Sequence, residues 1–280
     1  MSETPRSECD RGIKGRVVFA IAAHPDDIEF GMVGTLLRLR ELGYSIHYLN
    51  VASGSCGSAH LAADEIRKIR RAEAQDAAKL IDATWHEPLV DDLEVFYEDG
   101  LIRQLAAIVR EVSPSLVLTH SPQDYMEDHT NTSRLAVTAT FSRGMANYRT
   151  IPERAAVEGS VTLYHAMPHG LCDQLSQAVV PELLVDTSPV IETKVRALEC
   201  HRSQKDWLDE SQGMDSYVGS LLKMSSALGA MSEGFRHAEG WRRHSHFGFC
   251  SGNENPLLEQ LGPAACYAMP NSETNRSYVA

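Results

Sequence analysis

The sequence lacks the features that mark membrane, secreted and nucleic-acid-binding proteins. Its longest apolar run near the start covers only residues 17–23, whereas a membrane-spanning helix needs about 20 apolar residues. The polar segment 1–16 has no hydrophobic core of the kind a secretory signal requires. Basic residues are also scarce, since 26 Lys and Arg stand against 38 Asp and Glu and leave a net charge of −12. We therefore expect no membrane span and no nucleic-acid partner.

Several catalytic and structural motifs are missing as well. The six cysteines are scattered and form no CxxC pair, which argues against a disulfide framework and against a thiolate metal site. Reduced thiols in a chain of 280 residues favour a cytoplasmic protein. GxSxG is absent, so the sequence has no nucleophile elbow of a serine hydrolase. GxGxxG is absent as well, so no motif points to a dinucleotide-binding site.

What is present is the pattern of an α/β protein. Residues 17–22 (VVFAIA) form an apolar run typical of a strand that is buried on both faces. A helix over residues 30–42 and a strand over 45–51 complete a βαβ unit. Further helices are predicted over 64–81, 100–112, 134–147 and 190–201, and further strands over 115–119, 161–164 and 183–185. We predict a Rossmann-like α/β fold whose largely parallel sheet is flanked by helices, with a less regular C-terminal third.

Two segments rich in imidazoles and carboxylates directly follow predicted strands. The first is HPDDIE at 24–29, and the second is PQDYMEDH at 122–129. Ligands of open α/β sheets bind beyond the carboxyl ends of the strands, so we expect these segments to meet there. Nitrogen and oxygen ligands of this kind suit zinc. The alternatives are histidines with purely structural contacts and a solvated acidic loop around His129.

The same two segments resemble the motifs of a known family. AHPDDIEFG at 23–31 resembles the AHPDD signature of the LmbE-like, or PIG-L-type, zinc deacetylases, and residues 122–129 resemble that family's PxDxHxDH motif. The resemblance covers roughly residues 16–245 and implies one deacetylase domain, which we place over residues 16–250. The residues outside it predict a flexible tail at 1–15 and, from their polar composition, a loose C-terminal tail at 251–280. Weaker matches occur at Arg70-x-x-Glu73, Ala77, Ser113–Val117, Val185-Asp186, Lys194, His201-x-Ser203-Gln204 and Ala238-Glu239.

The resemblance also implies roles for individual residues. His24, Asp27 and His129 resemble the ligands of a catalytic Zn²⁺, or of another divalent metal such as Fe²⁺. Asp26 resembles the general base, and Asp128 resembles the carboxylate that orients neighbouring groups. Three protein ligands leave a metal position open for water. The residues expected to bind substrate are Ser53, Gly54, Arg70, Asp124 and Tyr125. An ordinary ion pair of Arg70 with Glu73 and a plain connecting loop at 53–58 remain the alternatives.

One position departs from the family pattern. Where the family has a histidine, three residues before the last metal ligand, this sequence has Met126, which cannot donate a proton. We favour His201 as the catalytic group that replaces it. The other candidates are His165, His169, His237, His244 and Tyr125.

The leading prediction is a zinc-dependent hydrolase that removes an acetyl group from an N-acetylated, sugar-derived small molecule. Because of Met126, a zinc-dependent hydratase of an unsaturated carboxylic acid and a hydrolase of another amide remain open. A metal-binding scaffold without activity is the non-enzymatic alternative. The expected partner is the small-molecule substrate, and a homo-oligomer is a further prediction drawn from the resemblance.

Overall fold

A computed structural model describes residues 15–204 and 217–269 of the chain. Most of the predicted N-terminal tail, residues 1–14, and the last residues, 270–280, lie outside this described part. The described residues form an eight-stranded sheet with helices packed against it. The predicted α/β class is therefore confirmed.

One half of the sheet is parallel. Its strands are β1 (Val17–Ala22), β2 (Ser45–Asn50), β3 (Ala83–His86), β4 (Leu116–Thr119) and β5 (Thr162–Ala166), in the spatial order β3-β2-β1-β4-β5. This is the strand order of a Rossmann-like sheet. Residues 18–22 of the central strand are fully buried, as the apolar run predicts.

The other half of the sheet is antiparallel, so the sheet as a whole is mixed. Strand β7 (Ala238–Arg243) pairs with β5, β6 (Leu183–Asp186) pairs with β7, and β8 (Ala265–Tyr267) pairs with β6. The prediction of a loose tail from residue 251 onward is wrong for the part that contains β8. A three-residue strand in a polar segment gives no periodic signal that would reveal it.

The helices cover both faces of the sheet. Alternate residues of β1 point to opposite faces, so Val18 and Ala20 pack in one apolar cluster while Phe19 and Ile21 pack in another. No described helix combines the length and the apolar character that crossing a membrane would require. The helices are α1 (Asp27–Gly31), α2 (Val33–Glu41), α3 (Ala63–Leu80), α4 (Asp99–Val112), α5 (Glu127–Phe141), α6 (Ile191–Leu198), α7 (Tyr217–Gly229) and α8 (Pro256–Leu261).

Two helix predictions differ from the structure in ways that matter for the site. The helix predicted over 30–42 is two helices, because the chain leaves helical geometry at Met32 (φ −135°). The helix predicted from residue 134 begins at Glu127 instead. Its first turns carry polar residues that are buried, including Asp128 and His129, so they show no apolar stripe. The first turn of the helix therefore carries the last three residues of the second motif, 127–129.

Strands β1 and β4 are neighbours at the point where the strand order reverses. Strand β1 lies between β2 and β4, so the chain moves outward from β1 in one direction first and then in the other. At such a switch point, the loops beyond the carboxyl ends of the two strands separate and leave a crevice. Both predicted motifs follow these two strands.

Candidate active site

The loop after β1 holds its two aspartates in different directions. Asp26 has φ 112° and ψ −24°, a left-handed backbone geometry that a residue other than glycine rarely adopts. The amide of His24 donates to Oδ2 of Asp27 at 2.6 Å, and the side-chain amide of Asn50 donates to the His24 carbonyl at 2.6 Å. These bonds fix the loop and send the Asp27 side chain toward the second motif.

His24, Asp27 and His129 converge although the sequence separates the first two from the third by more than a hundred residues. Nδ1 of His24 lies 3.4 Å from Oδ2 of Asp27, and Nε2 of His129 lies 3.3 Å from Oδ1 of the same carboxylate. One ligand atom from each of the three residues lies within 4.8 Å of the other two. The two imidazoles are almost fully buried. The three residues can therefore hold a single cation.

The other nitrogen of each imidazole is bonded to a further carboxylate. Nε2 of His24 lies 3.0 Å from Oδ2 of Asp128, which also accepts the amide of Leu93 at 2.8 Å. Nδ1 of His129 lies 3.0 Å from Oδ1 of Asp124. A carboxylate on the far nitrogen fixes the tautomer and ring orientation of a metal-binding histidine. Asp124 is thus placed to orient His129 and does not face the cavity.

The buried carboxylates of this cluster need positive charge to balance them. Burial lowers the pKa of His24, but hydrogen bonds to Asp128 and Asp27 outweigh it and raise the pKa to about 9. Burial likewise opposes the charge of Asp27, yet His129 and His120 hold its pKa well below the usual range. Without a cation, protons on the imidazoles have to balance the carboxylates. A divalent metal ion would supply the same charge, and the nitrogen and oxygen donors fit zinc.

Asp26 is held by partners other than the three possible ligands. The hydroxyl of Tyr217 donates to its Oδ2 at 2.6 Å, and Nη2 of Arg70 lies 3.5 Å from Oδ1. Burial raises the pKa of the Asp26 carboxyl, while the Arg70 cation lowers it. Arg70 also donates to the Pro25 carbonyl at 2.5 Å. Asp26 is thus a buried, held carboxylate at the edge of the cluster.

The cluster opens into a cavity of about 450 Å³. Of the residues predicted to bind substrate, Arg70 and Tyr125 line it. Met126 also lines it, at the residue before the first turn of α5. The lining comprises His24, Asp26, Asp27, Phe30, Cys56, Gly57, Arg70, Asp92, Leu93, Tyr125, Met126, His129, His169, Gln204 and Tyr217.

Ser53 and Gly54 support the cavity from behind and do not line it. Oγ of Ser53 donates to Asp91 at 2.6 Å, and the amide of Gly54 donates to Asp92 at 2.6 Å. Gly54 has φ +79°, and a Cβ there would lie 2.6 Å from Cδ of Arg70, so only glycine allows this close approach. The loop therefore acts by positioning Arg70. The alternative Arg70–Glu73 pair does not form, because Glu73 accepts two bonds from Ser203 instead.

His201 lies outside the cavity lining. It is 1% exposed, and its Nε2 lies 3.3 Å from Oε2 of Glu29. Glu29 also accepts the hydroxyl of Tyr48 at 3.1 Å. The predicted role of His201 as a catalytic proton donor therefore lacks support from its position. Of the other candidates, His169 and Tyr125 do line the cavity.

Sequence reasoning missed His120 and Tyr217. His120 is the last residue of the SLVLTH segment and directly follows β4. Its Nε2 accepts a hydrogen bond from the Ala23 amide at 2.9 Å and lies 3.3 Å from Oδ2 of Asp27. Its place directly after a buried strand was an available signal. Tyr217 reaches Asp26 from α7, across 191 residues of sequence, and no spacing rule reveals such a contact.

Comparisons with known proteins agree with this geometry. Residues 19–140 match the family model described as PIG-L, GlcNAc-PI de-N-acetylase. The chain is 27% identical over 237 residues to diacetylchitobiose deacetylase of Thermococcus kodakarensis, covering 80% of this chain and 82% of that protein. It is 25% identical over 209 residues to 4-oxalmesaconate hydratase of Pseudomonas putida, covering 71% of this chain and 78% of that protein.

A solved structure gives the same result for the fold. N,N'-diacetylchitobiose deacetylase of Pyrococcus horikoshii, complexed with its inhibitor MPG, matches with a TM-score of 0.68 at 25% identity. The match covers 84% of this chain and 85% of that chain. The family model covers both segments that hold the histidines and aspartates of the cluster. Over residues 19–140, the chain is therefore similar to the PIG-L family of de-N-acetylases.

Proposed function

We propose that this protein is a zinc-dependent deacetylase of an N-acetylated, sugar-derived small molecule. The observation that carries the proposal is the convergence of His24, Asp27 and His129 beside a held carboxylate, Asp26, in one cavity. Deacetylation is the activity named for the family and for its diacetylchitobiose relatives. Amide hydrolysis needs a cation site, a base and room for the substrate, and this cavity offers all three.

His24, Asp27 and His129 would hold the metal, with Asp128 and Asp124 fixing the two imidazoles. A zinc ion bound there supplies Lewis acidity and makes a water molecule acidic at neutral pH. Asp26 accepts a proton from the water that attacks the acetyl carbon. Tyr217 and Arg70 hold the Asp26 carboxylate in place for this transfer.

The leaving amine needs a proton, and Met126 cannot supply it. Asp26 holds the proton that it took from water and lies in the same cavity, so it returns that proton to the amine nitrogen as the C–N bond breaks. One water is consumed, and acetate and the free amine are released. Among the described lining residues, His169 is the one imidazole outside the cluster, and it offers a second donor.

A hydratase is the second candidate, because one relative is named a hydratase. The basic side chains of the cavity argue against it. Among the described lining residues, Arg70 is the one Lys or Arg, and it is already engaged by Pro25 and Asp26. These lining residues therefore leave no uncommitted Lys or Arg to bind the carboxylate of an unsaturated acid.

The finer points of the proposal concern the metal, the compartment and the assembly. The donor set suits zinc, and Fe²⁺ is the alternative metal. Free thiols at the five described cysteines support a cytoplasmic protein. A homo-oligomer stays a prediction.

Substituting Asp26 tests the proposal. We expect Asp26→Asn to keep the metal content of the wild type and to lose activity by about 10²–10⁴-fold, because the base is gone while the ligands remain. Acetate release from N,N'-diacetylchitobiose and elemental analysis measure the two properties. Asp82→Asn is the matched control, since Asp82 is also left-handed (φ 57°) but exposed.

Two results would contradict the proposal. Full activity of Asp26→Asn would remove the base assignment. Loss of ultraviolet absorbance from 4-oxalmesaconate, with no acetate released from any amide, would establish the hydratase instead.

A further inference from the structure

Two large apolar side chains at the mouth of the cavity are open to water. Leu93 is 60% exposed and Tyr125 is 53% exposed, and both line the cavity. Neither is loosely attached. The Leu93 amide is bonded to Asp128, and the Tyr125 ring packs edge-on against His129 with centroids 5.5 Å apart. We call this pair the apolar rim.

Leu93 is also in an unfavourable backbone conformation. Its φ is +64°, in the left-handed region, where glycine and asparagine are accommodated and a leucine is strained. An exposed leucine adds little to folding, and a left-handed one reduces stability. Folding therefore gives no reason for a leucine at this position, whereas contact with an apolar ligand does.

The depth of the cavity decides which part of a substrate meets the rim. His24 and His129 are 7% and 5% exposed, so the acetyl group has to reach the closed end. The polar side chains of Arg70 and Gln204 line this space. Side chains of this kind suit hydroxyl groups of a sugar held next to the acetyl group. The rim is then left for the end of the substrate that leaves the cavity.

We propose that the substrate is an N-acetylated amino sugar with an uncharged apolar aglycone, and that Leu93 and Tyr125 bind this aglycone. The inference rests on the proposed deacetylase activity and names the substrate class of that site. The chemistry of the rim supports it. Leu93 and Tyr125 offer apolar surface and carry no charge that would bind an ionic aglycone.

The test compares two glycosides of N-acetylglucosamine that differ only in the aglycone. Acetate release is measured from the 4-nitrophenyl β-glycoside and from the methyl β-glycoside. We expect kcat/KM to be at least about tenfold higher for the 4-nitrophenyl compound, through a lower KM, because its ring lies on the rim. Leu93→Asn should reduce this ratio about fivefold.

The thermal midpoint separates binding from folding in the same variant. Asparagine tolerates the left-handed backbone, so Leu93→Asn should melt at or above the wild-type temperature while its selectivity falls. A merely structural leucine would give the opposite result. Leu175→Ser is the matched control, because Leu175 is 73% exposed but does not line the cavity. This substitution should change neither the ratio of the two kcat/KM values nor the thermal midpoint.

Two further outcomes separate a failure of the aglycone assignment from a failure of the deacetylase proposal. Equal kcat/KM for the two glycosides, or an unchanged ratio in Leu93→Asn, overturns the aglycone assignment and leaves the deacetylase proposal intact. Release of acetate from neither glycoside and from no other amino sugar overturns the proposed function, and the aglycone assignment with it.

Discussion

Among single residues, the proposed roles of Asp26 as base and Asp27 as ligand depend on one strained backbone position. The left-handed geometry of Asp26 turns its carboxylate toward Tyr217 and Arg70, while Asp27 faces His24 and His129. Strain of this kind costs about 1–3 kcal/mol and persists only where the surroundings enforce it. Without the turn, both carboxylates would compete for the same cation and no base would remain.

The contact between Asp124 and His129 makes the first prediction at this scale. Asp124 is almost fully buried, and Oδ1 lies 3.0 Å from Nδ1 of His129. Asp124→Asn removes the charge that orients this imidazole, so zinc affinity should fall by about 10–100-fold. Competition with a chelating dye measures the affinity of the purified protein. Glu127→Gln, an exposed change at the first residue of α5, should leave it unchanged. Equal affinities for all three proteins would show that Asp124 does not orient His129.

The rule that ligands bind beyond the carboxyl ends of strands predicts part of the candidate site, and it misses the residues that do not follow a strand. His24, Asp27 and His129 follow apolar strands, so the rule that ligands bind beyond strand ends brings them together. The assignment of their roles remains a prediction until a metal is measured. Asp124 was expected to bind substrate, but whether its side chain points to the cavity or to an imidazole depends on the start of α5. Tyr217 contacts Asp26 only through tertiary packing.

At the scale of secondary structure elements, β1 and β4 create the site and α2, α6 and β7 hold it. Glu239 on β7 accepts the amides of Gly34 at 2.8 Å and Thr35 at 2.7 Å, at the start of α2. Lys194 on α6 donates to the same carboxylate at 2.6 Å, and both side chains are about 2% exposed or less. One buried ion pair thus ties two helices to the antiparallel half of the sheet.

Breaking this pair should destabilise the protein strongly. Lys194→Met leaves the Glu239 charge buried without a cation, which costs about 3–5 kcal/mol of unfolding free energy. For a chain of this size we expect a thermal midpoint about 10 °C lower, measured by calorimetry. Arg40→Met breaks the exposed pair with Asp82 and should cost less than about 1 kcal/mol. If both variants melted together, the buried pair would not be the link between these elements.

For the whole molecule, the sheet has a parallel half that builds the site and an antiparallel half of which the sequence predicted β6 but neither β7 nor β8. Four of the five parallel strands were predicted from their apolar residues between helical patterns, whereas the short, half-buried strand β3 was missed. Strand β8 and helix α8 come from a polar segment and are short, so composition predicted a loose tail. Yet Leu257 and Leu261 of that helix are buried in the same apolar cluster as β1. Residues 257–265 therefore contribute to the core.

Removing that segment gives the prediction for the molecule as a whole. A chain ending at Gly252 loses the two buried leucines, worth together about 4 kcal/mol, and leaves β6 as an unpaired edge. Natural domains are stable by only about 5–15 kcal/mol, so we expect a midpoint at least about 10 °C lower, with aggregation. A chain ending at Met269, which keeps α8 and β8, should melt like the full chain. A shortened chain that melts at the same temperature would show that β8 and α8 contribute nothing to stability, and the core would then end with β7.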